Sequence, residues 1–281
     1  MKHIVSYSGG MGSFAEAKSC VDKYGKENTI LLFADTLMED EDLYRFLKET
    51  QEFLGCELVK LCYGKTPWEL FEQTRFVGNS RLDICSRMLK RELLINYIGD
   101  TFGYIKQVPE TNYKGEPYFT KQNQPITKGV KHIKAEVHLG IDYTESHRLL
   151  NVQKRMHPWV YRSTLVEEGR FIGKDFSERF GIKQPKLYSL GFSHNNCGGF
   201  CVKAGLGHFK HLYETLPDLY KFHEEKEQEL KEKVNTKPFL KMTNNNKKRY
   251  ISMKEFRVEF IEKGKANKYK FEIGGCSCAL E

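Results

Sequence analysis

The chain has 281 residues, of which 40% are hydrophobic and 29% charged, and its formal net charge is +8. This is the balance of an ordinary soluble globular protein, and the length allows one large domain or one domain with a small appendage. No apolar run reaches the ~18 residues that a membrane span needs, and the N-terminus lacks the apolar segment of a signal peptide. We therefore expect a cytoplasmic protein without a membrane segment.

Strand and helix patterns alternate over the first 62 residues. Residues 3–7 are typical of a short strand, and the continuous apolar run at 29–34 is typical of a strand buried on both faces. A glycine-rich turn and a helix from about residue 13 to 24 lie between them. A second helical pattern at 39–54 leads to a third strand at 57–62. This β-α-β-α-β order predicts a parallel sheet with right-handed crossovers.

The middle of the chain continues this alternation. Helical patterns occur at 67–74 and 86–101, and a strand pattern occurs at 135–141. The stretch 104–134 is rich in Lys, Gly, Pro, Asn and Gln, and we expect an insertion or a hairpin there.

We expect an α/β fold, a doubly wound parallel sheet with helices on both faces, formed by residues 1–190. Helical patterns at 203–233, interrupted near Pro217, predict a helical and basic region at 191–281. This second region carries cysteine motifs and is expected to pack on the first.

Positive charge is concentrated near the C-terminus. Residues 237–270 contain 11 Lys and Arg against 3 Asp and Glu, a net charge of +8, so the rest of the chain sums to zero. A local basic segment favours contact with the phosphates of a nucleic acid or a nucleotide. A solvated surface without a binding role explains the same charge, and the sequence leaves both interpretations open.

The strongest local motif is a glycine-rich turn, Ser8-Gly9-Gly10-Met11-Gly12-Ser13, between the first strand and the first helix. Glycines allow positive φ and a close approach of the backbone to an anion. Free N–H groups and the helix dipole then favour a phosphate at the turn, and the Ser8 and Ser13 hydroxyls add donors. The turn is neither a Walker motif nor a dinucleotide fingerprint.

Ser-Gly-Gly-x-x-Ser after a first strand resembles the signature of the PP-loop superfamily, also called adenine nucleotide alpha-hydrolases. In that superfamily the loop holds the pyrophosphate or sulfate end of an adenine nucleotide. The segment Phe33-Ala34-Asp35-Thr36 resembles the Asp-Thr element of phosphoadenosine-phosphosulfate (PAPS) reductases, where an acid can bind ribose hydroxyls or Mg²⁺. The resemblance implies nucleotide contacts from Ser6, Ser8, Gly9, Gly10, Met11, Gly12, Ser13, Asp35, Thr36 and Gly140.

Three later segments keep the order of that family. Cys85 to Leu93 resembles the cysteine-and-basic segment of its iron–sulfur members. Gly140 to Arg148 resembles a Gly-Ile to Arg segment after a strand, and Leu187 to Phe192 resembles the stretch that leads to a cysteine pair. The resemblance to the PAPS reductase-like branch covers about residues 1–205. It implies catalytic roles for Asp35, Lys90 and Arg148.

The cysteines depart from the family pattern. Ser86 stands where the cluster-bearing reductases have a second cysteine, and the pair Cys197 and Cys201 is one residue wider than theirs. The family's Glu-Cys-Gly-Leu-His tail is replaced by Gly-Gly-Cys-Ser-Cys. Apolar patterns predict buried core thiols at Cys20, Cys56 and Cys62.

Three cysteines at family cluster positions, Cys85, Cys197 and Cys201, need a fourth ligand, for which Cys276 or Cys278 is available. Four thiolates suit a [4Fe–4S] cluster and equally Zn²⁺, and free thiols stay an alternative. A cluster on three cysteines with one open iron, which binds a sulfur atom, is a further alternative. In the leading assignment Cys276 is the fourth ligand and Cys278 is a nucleophilic thiol on the tail.

These features predict a PP-loop enzyme that adenylates a substrate with ATP, releases pyrophosphate and transfers sulfur, with a nucleic acid as one candidate acceptor. A thiol-dependent reductase of PAPS or adenylylsulfate and a non-catalytic nucleotide- or nucleic-acid-binding subunit are the alternatives. Expected cofactors are Mg²⁺ and an iron–sulfur cluster, with Zn²⁺ as the alternative to the cluster. Candidate partners are an adenine nucleotide, a nucleic acid at 237–270, a sulfur donor or thioredoxin-like protein, and a second copy in a homodimer.

Overall fold

The computed structural model describes residues 1–78, 82–244 and 247–270. Its strands are β1 (Lys2–Ser6), β2 (Thr29–Asp35), β3 (Glu57–Cys62), β4 (Gly103–Pro109), β5 (Thr127–Ile133), β6 (Ala135–Leu139), β7 (Val160–Arg162), β8 (Leu240–Asn244) and β9 (Lys247–Ile251). Its α-helices are α1 (Met11–Tyr24), α2 (Glu41–Leu54), α3 (Pro67–Thr74), α4 (Ile84–Ser86), α5 (Glu92–Thr101), α6 (Ser146–Met156), α7 (Thr164–Glu167), α8 (Lys186–Ser189), α9 (Leu206–Thr215), α10 (Pro217–Val234) and α11 (Met253–Phe256). A π-helical turn, Arg87–Arg91, joins α4 to α5.

Five strands form one parallel sheet in the order β3-β2-β1-β6-β7. In the central strand β1, Ile4 pairs with Ile30 of β2 on one side and with Val137 of β6 on the other. The chain runs outward from β1 through β2 to β3 and later returns to β6 on the opposite side of β1. Strand order therefore reverses between β1 and β6, and such a reversal opens a crevice at the carboxyl ends of the strands.

Helices cover both faces of this sheet. Val5 of β1 packs in one core with Phe14 of α1. Its neighbour Ile4 packs in a separate core with Ile98 of α5 and Val152 of α6. Successive side chains of a strand point to opposite faces, so the two cores lie on the two sides of the sheet. The predicted α/β fold with a parallel sheet is confirmed.

A third core joins the C-terminal region to the rest of the chain. Phe200, Phe209 and Phe256 share it with Trp68 and Phe71 of α3. The described residues of this region, 191–244 and 247–270, therefore pack on elements that precede them, through a core separate from those of the sheet. None of the described helices is long and apolar enough to cross a membrane.

The C-terminal region is less helical than we predicted. After α9 and α10 the chain forms the antiparallel hairpin β8–β9. This segment forms a strand because its apolar and polar residues alternate. Leu240 and Met242 are buried, and Lys241 between them is exposed. The stretch 104–134, where an insertion or a hairpin was expected, contains the antiparallel hairpin β4–β5. Cys276 and Cys278 lie outside the described residues.

The prediction of core thiols is confirmed for two cysteines and wrong for one. Cys20 and Cys56 are buried, and burial raises the pKa of the Cys56 thiol to about 11. Cys62 is exposed, because it ends β3, the edge strand of the sheet, where side chains are only partly covered.

A buried carboxyl on α10 makes stability depend on pH. Glu227 is 6% exposed, and its Oε2 accepts from the Met253 amide at 2.6 Å, while burial raises its pKa to about 7. A carboxyl whose pKa is raised by folding contributes its full stabilisation at pH values below its pKa in the unfolded chain. That contribution is lost as pH rises through about 7. When pH is raised from ~4.5 to ~8, wild type should lose this contribution and Glu227→Gln should not. The free energy of unfolding of Glu227→Gln should therefore rise by about 3 kcal/mol relative to that of wild type over this range.

Urea unfolding at the two pH values measures this difference. Glu225→Gln is the matched control, because Glu225 is exposed on the same helix. Parallel pH profiles for Glu227→Gln and wild type would contradict the expectation.

Candidate active site

A cavity of about 250 Å³ opens at the carboxyl ends of β1, β2 and β6, where the strand order reverses. We call it the loop cavity, because the glycine-rich turn forms one of its walls. Seven of the ten predicted nucleotide contacts line it, namely Ser6, Ser8, Gly10, Met11, Gly12, Ser13 and Gly140. The other three, Gly9, Asp35 and Thr36, are not among its lining residues.

The glycine-rich turn brings the N-terminus of α1 against the end of β6. A Cβ on Gly12 would lie 2.5 Å from the carbonyl oxygen of Gly140, and a Cβ on Gly140 would lie 2.4 Å from the amide nitrogen of Ser13. Gly9 has a φ of +74°, which side-chain-bearing residues rarely adopt. The first turn of α1 lines the cavity and carries no acidic side chain, so its amides and dipole favour a bound anion.

Three cationic side chains line the loop cavity: Lys90, Arg148 and Lys174. Arg148 of α6 pairs with Glu145, and the Lys174 Nζ donates to the Phe192 carbonyl at 3.1 Å. Sequence reasoning proposed Lys90 and Arg148 but missed Lys174, which lies in an irregular segment outside every quoted motif. A guanidinium and two ammonium groups around helix amides suit a polyphosphate.

Carboxylates lie at the ends of both β2 and β6. The Oδ1 of Asp35, at the end of β2, accepts from the Leu37 amide and from the Tyr44 hydroxyl, both at 2.8 Å. Asp142 and Glu145 follow β6 and line the loop cavity. They have local partners too, since the Asp142 Oδ1 accepts from the Thr144 amide and hydroxyl and Glu145 pairs with Arg148. Carboxylates beside an anion site are the ligands that Mg²⁺ takes together with phosphate oxygens, so these two fit such an ion.

A second, smaller cavity of about 20 Å³ is lined by the three predicted cysteines Cys85, Cys197 and Cys201. We call it the thiol cavity. Phe71 and Phe200 contribute to its walls. Cysteines far apart in the sequence are thus gathered in one largely apolar place.

Lys90 lines both cavities. Its Nζ lies 3.4 Å from the Glu39 Oε1 and 3.7 Å from the Cys197 Sγ. The Glu39 side chain is 1% exposed and also accepts from the Thr36 hydroxyl at 2.9 Å and from the Cys197 amide. This buried ion pair holds a positive charge between the loop cavity and a sulfur. Lys90 belongs to the π-helical turn, a distortion that is frequent at functional sites.

The segment before Cys197 also connects the two cavities. Asn195 is 2% exposed, and its Nδ2 donates to the Gly9 carbonyl at 3.1 Å. Its Oδ1 is buried without a hydrogen-bond partner in the described part of the chain, and the residue is one of those that line the loop cavity. Cys197, Gly198 and Gly199 follow with three successive positive φ angles, an uncommon conformation for cysteine.

The thiol cavity fits an iron–sulfur cluster by the chemistry of its donors, since soft thiolates are the ligands of such clusters. Bonds of ~2.3 Å to a single zinc ion place ligand sulfurs about 3.8 Å apart. Among the described residues, two groups of three donor atoms lie within 4.8 Å of one another, and neither contains Cys85, Cys197 or Cys201. The chemistry of the three thiols suits either an iron–sulfur cluster or Zn²⁺. A volume of about 20 Å³ holds one water-sized group, so a cluster requires the cavity to widen.

No protein-family model matches the chain, and no curated protein matches it. The geometry of the two cavities is therefore the basis on which a function can be proposed. The residues that sequence reasoning missed, Asp142, Lys174 and Asn195, lie in loops, where side-chain direction has no periodic signal.

Proposed function

We propose that this chain is a PP-loop enzyme of the PAPS reductase-like branch that binds ATP or a related adenine nucleotide in the loop cavity. It adenylates a substrate for sulfur transfer. The observation that carries the proposal is the position of Lys90, which lines the loop cavity and lies 3.7 Å from the Cys197 sulfur. An anion site and a set of thiols that share one cation suit a reaction in which pyrophosphate leaves and sulfur enters.

The side chains have separable tasks in this reaction. A substrate oxygen attacks the α-phosphorus of ATP, the bond to the bridging oxygen breaks, and pyrophosphate leaves. The first-turn amides of α1, with Arg148 and Lys174, bind the charge that develops on the leaving group. Asp142 and Glu145 would hold Mg²⁺, which neutralises phosphate charge when it is bound. Lys90 stabilises the negative charge of an attacking thiolate or persulfide.

Reduction of PAPS or adenylylsulfate is the first alternative, because it uses the same two cavities. A thiolate attacks the sulfate sulfur and the nucleotide phosphate leaves, which gives a thiol S-sulfonate. A second thiol then attacks the sulfur of the first, sulfite leaves and a disulfide forms. This reaction yields sulfite and consumes thiols, whereas adenylation releases pyrophosphate and the sulfur transfer that follows releases AMP. The products therefore separate the two reactions.

Nucleic-acid binding is supported by the surface of the basic segment. Of its Lys and Arg side chains whose burial the structure describes, nine are exposed, at positions 237, 241, 248, 249, 254, 263, 265, 268 and 270. Such a surface suits an acceptor RNA or DNA. Fluorescence anisotropy with single-stranded RNA across a salt series tests it, and binding without salt dependence would leave the segment as a solvated surface.

We expect Mg²⁺–ATP to bind with an affinity that falls about tenfold on Arg148→Ala or Lys174→Ala, since each removes a charged hydrogen bond. Equilibrium binding with a fluorescent ATP analogue measures the affinity, and pyrophosphate release in the presence of an RNA pool tests turnover. Lys183→Ala is the matched control, because Lys183 is exposed and does not line the loop cavity. Formation of sulfite from PAPS would show that the activity is reduction and not adenylation. Binding of ATP without release of pyrophosphate or sulfite would indicate a binding subunit.

A further inference from the structure

A buried cluster of two histidines and two carboxylates lies on the α1 side of the central sheet. His3 of β1 and His138 of β6 lie on adjacent strands, with Glu136 of β6 in register with His3. Glu16 of α1 packs against His138. None of these four residues lines the loop cavity or the thiol cavity, so the proposed reaction does not use them.

Glu16 holds His138 through a hydrogen bond. Its side chain is 0% exposed and accepts from the amides of Thr164 and Leu165 at 2.9 and 3.2 Å. The Thr164 hydroxyl also donates to it, at 3.0 Å. These donors place the Glu16 carboxylate as a hydrogen-bond acceptor. The His138 tautomer with its proton on Nδ1 donates to the Glu16 Oε1 at 2.9 Å and leaves its Nε2 as an acceptor.

Two further potential ligand atoms lie near the His138 Nε2. The His138 Nε2 lies 3.1 Å from the His3 Nδ1 and 3.9 Å from the Glu136 Oε2, and the latter two atoms are 3.5 Å apart. Bonds of ~2.0–2.2 Å to a tetrahedral zinc ion place ligand atoms about 3.3–3.5 Å apart. The three atoms thus have the spacing of a zinc coordination face with little movement.

The surrounding contacts hold these donors in place. The His3 ring stacks on Tyr24 with centroids 3.6 Å apart and an interplanar angle of 4°. The Arg162 guanidinium lies 3.3 Å from the Glu136 Oε2, but its main partner is Glu167, with bonds of 2.7 and 2.9 Å. Arg162 therefore keeps a carboxylate partner when a cation takes Glu136.

We propose that His3, Glu136 and His138 bind one divalent zinc-type cation, with Glu16 as the hydrogen-bonded support of His138 and a water as the fourth ligand. A carboxylate that orients a ligating histidine through its other nitrogen is a recurrent part of metal sites. Without the cation, the His3 N–H donates to His138 and keeps the cluster satisfied. The site ties β1 and β6 to α1, and it is independent of the proposed nucleotide reaction.

Zinc titration of the full chain, stripped of metal, tests the proposal by calorimetry and by thermal unfolding. We expect wild type to bind one equivalent of zinc that Cys197→Ser still binds. His3→Ala should weaken the affinity for this zinc 100-fold or more, and it should also lose the zinc-dependent rise in Tm. Glu136→Gln gives a second, milder disruption, since a neutral amide replaces the carboxylate ligand. His147→Ala is the matched control, because His147 is exposed and lies outside the cluster.

Cobalt(II) distinguishes the two kinds of ligand, because thiolate ligation adds intense near-ultraviolet absorption and nitrogen and oxygen ligands do not. Cobalt bound to this cluster gives weak visible bands alone. The proposal is overturned if wild type binds no zinc, if all bound zinc is lost in Cys197→Ser, or if His3→Ala binds zinc as wild type does. None of these outcomes depends on nucleotide turnover.

Discussion

Gly12→Ala is expected to abolish nucleotide binding, with an affinity loss of 100-fold or more. The new Cβ would lie 2.5 Å from the Gly140 carbonyl oxygen. Neither atom can rotate away, because the oxygen belongs to the backbone and a Cβ is bonded directly to it. The first turn of α1 must then move off the end of β6, and the amides that face the anion move with it. A shift of about 1 Å in a preorganised site is enough for a loss of this size. Equilibrium binding of a fluorescent ATP analogue measures it.

Gly205→Ala is the control for this substitution. Gly205 precedes α9, has an ordinary negative φ of −80°, and has no atom within 4 Å of its added Cβ. Urea unfolding of both variants separates lost binding from lost folding. Wild-type affinity in a folded Gly12→Ala protein would rule out the turn as the phosphate site.

The sheet was predictable because its strands are buried runs joined by helices of clear period. The strand predicted at 57–62 is observed as β3 (Glu57–Cys62), and the apolar run at 29–34 falls within β2. The hairpin β8–β9 was missed because a short alternating segment among many lysines gives a weak signal. Its burial depends on the third core, which α3 and the C-terminal region form together.

The place of the candidate site was predictable where it depends on the backbone, since residues of the glycine-rich turn line the loop cavity. The candidate site was harder to predict where the direction of a side chain decides whether it lines the cavity. Asp35 follows a strand as predicted, yet its carboxylate is bound to the Leu37 amide and the Tyr44 hydroxyl. Asp142 and Lys174 line the cavity because two loops converge there. The cluster of two histidines and two carboxylates was not predicted, because His3 and His138 are 135 residues apart and meet only through strand pairing.

Lys90→Met is expected to lower turnover at least 100-fold and to slow alkylation of Cys197. The Nζ of Lys90 lies 3.7 Å from the Cys197 sulfur, where a positive charge stabilises the thiolate. It also lines the loop cavity, where loss of one charged donor to a transition state costs ~10²–10³ in rate. Turnover is followed by pyrophosphate release, and alkylation of the Cys197 peptide is followed by mass spectrometry.

Two comparisons decide what Lys90 does. Lys174→Met removes a cation that lines the loop cavity alone, so it should weaken nucleotide binding and leave Cys197 alkylation unchanged.

Lys90→Met leaves the buried Glu39 carboxylate without its cation, which destabilises the fold by itself. The double variant Lys90→Met with Glu39→Gln removes both charges and should regain stability. If alkylation and turnover return together with stability, Lys90 is a structural partner of Glu39. If stability returns without them, its ammonium acts on the sulfur and on the phosphate directly.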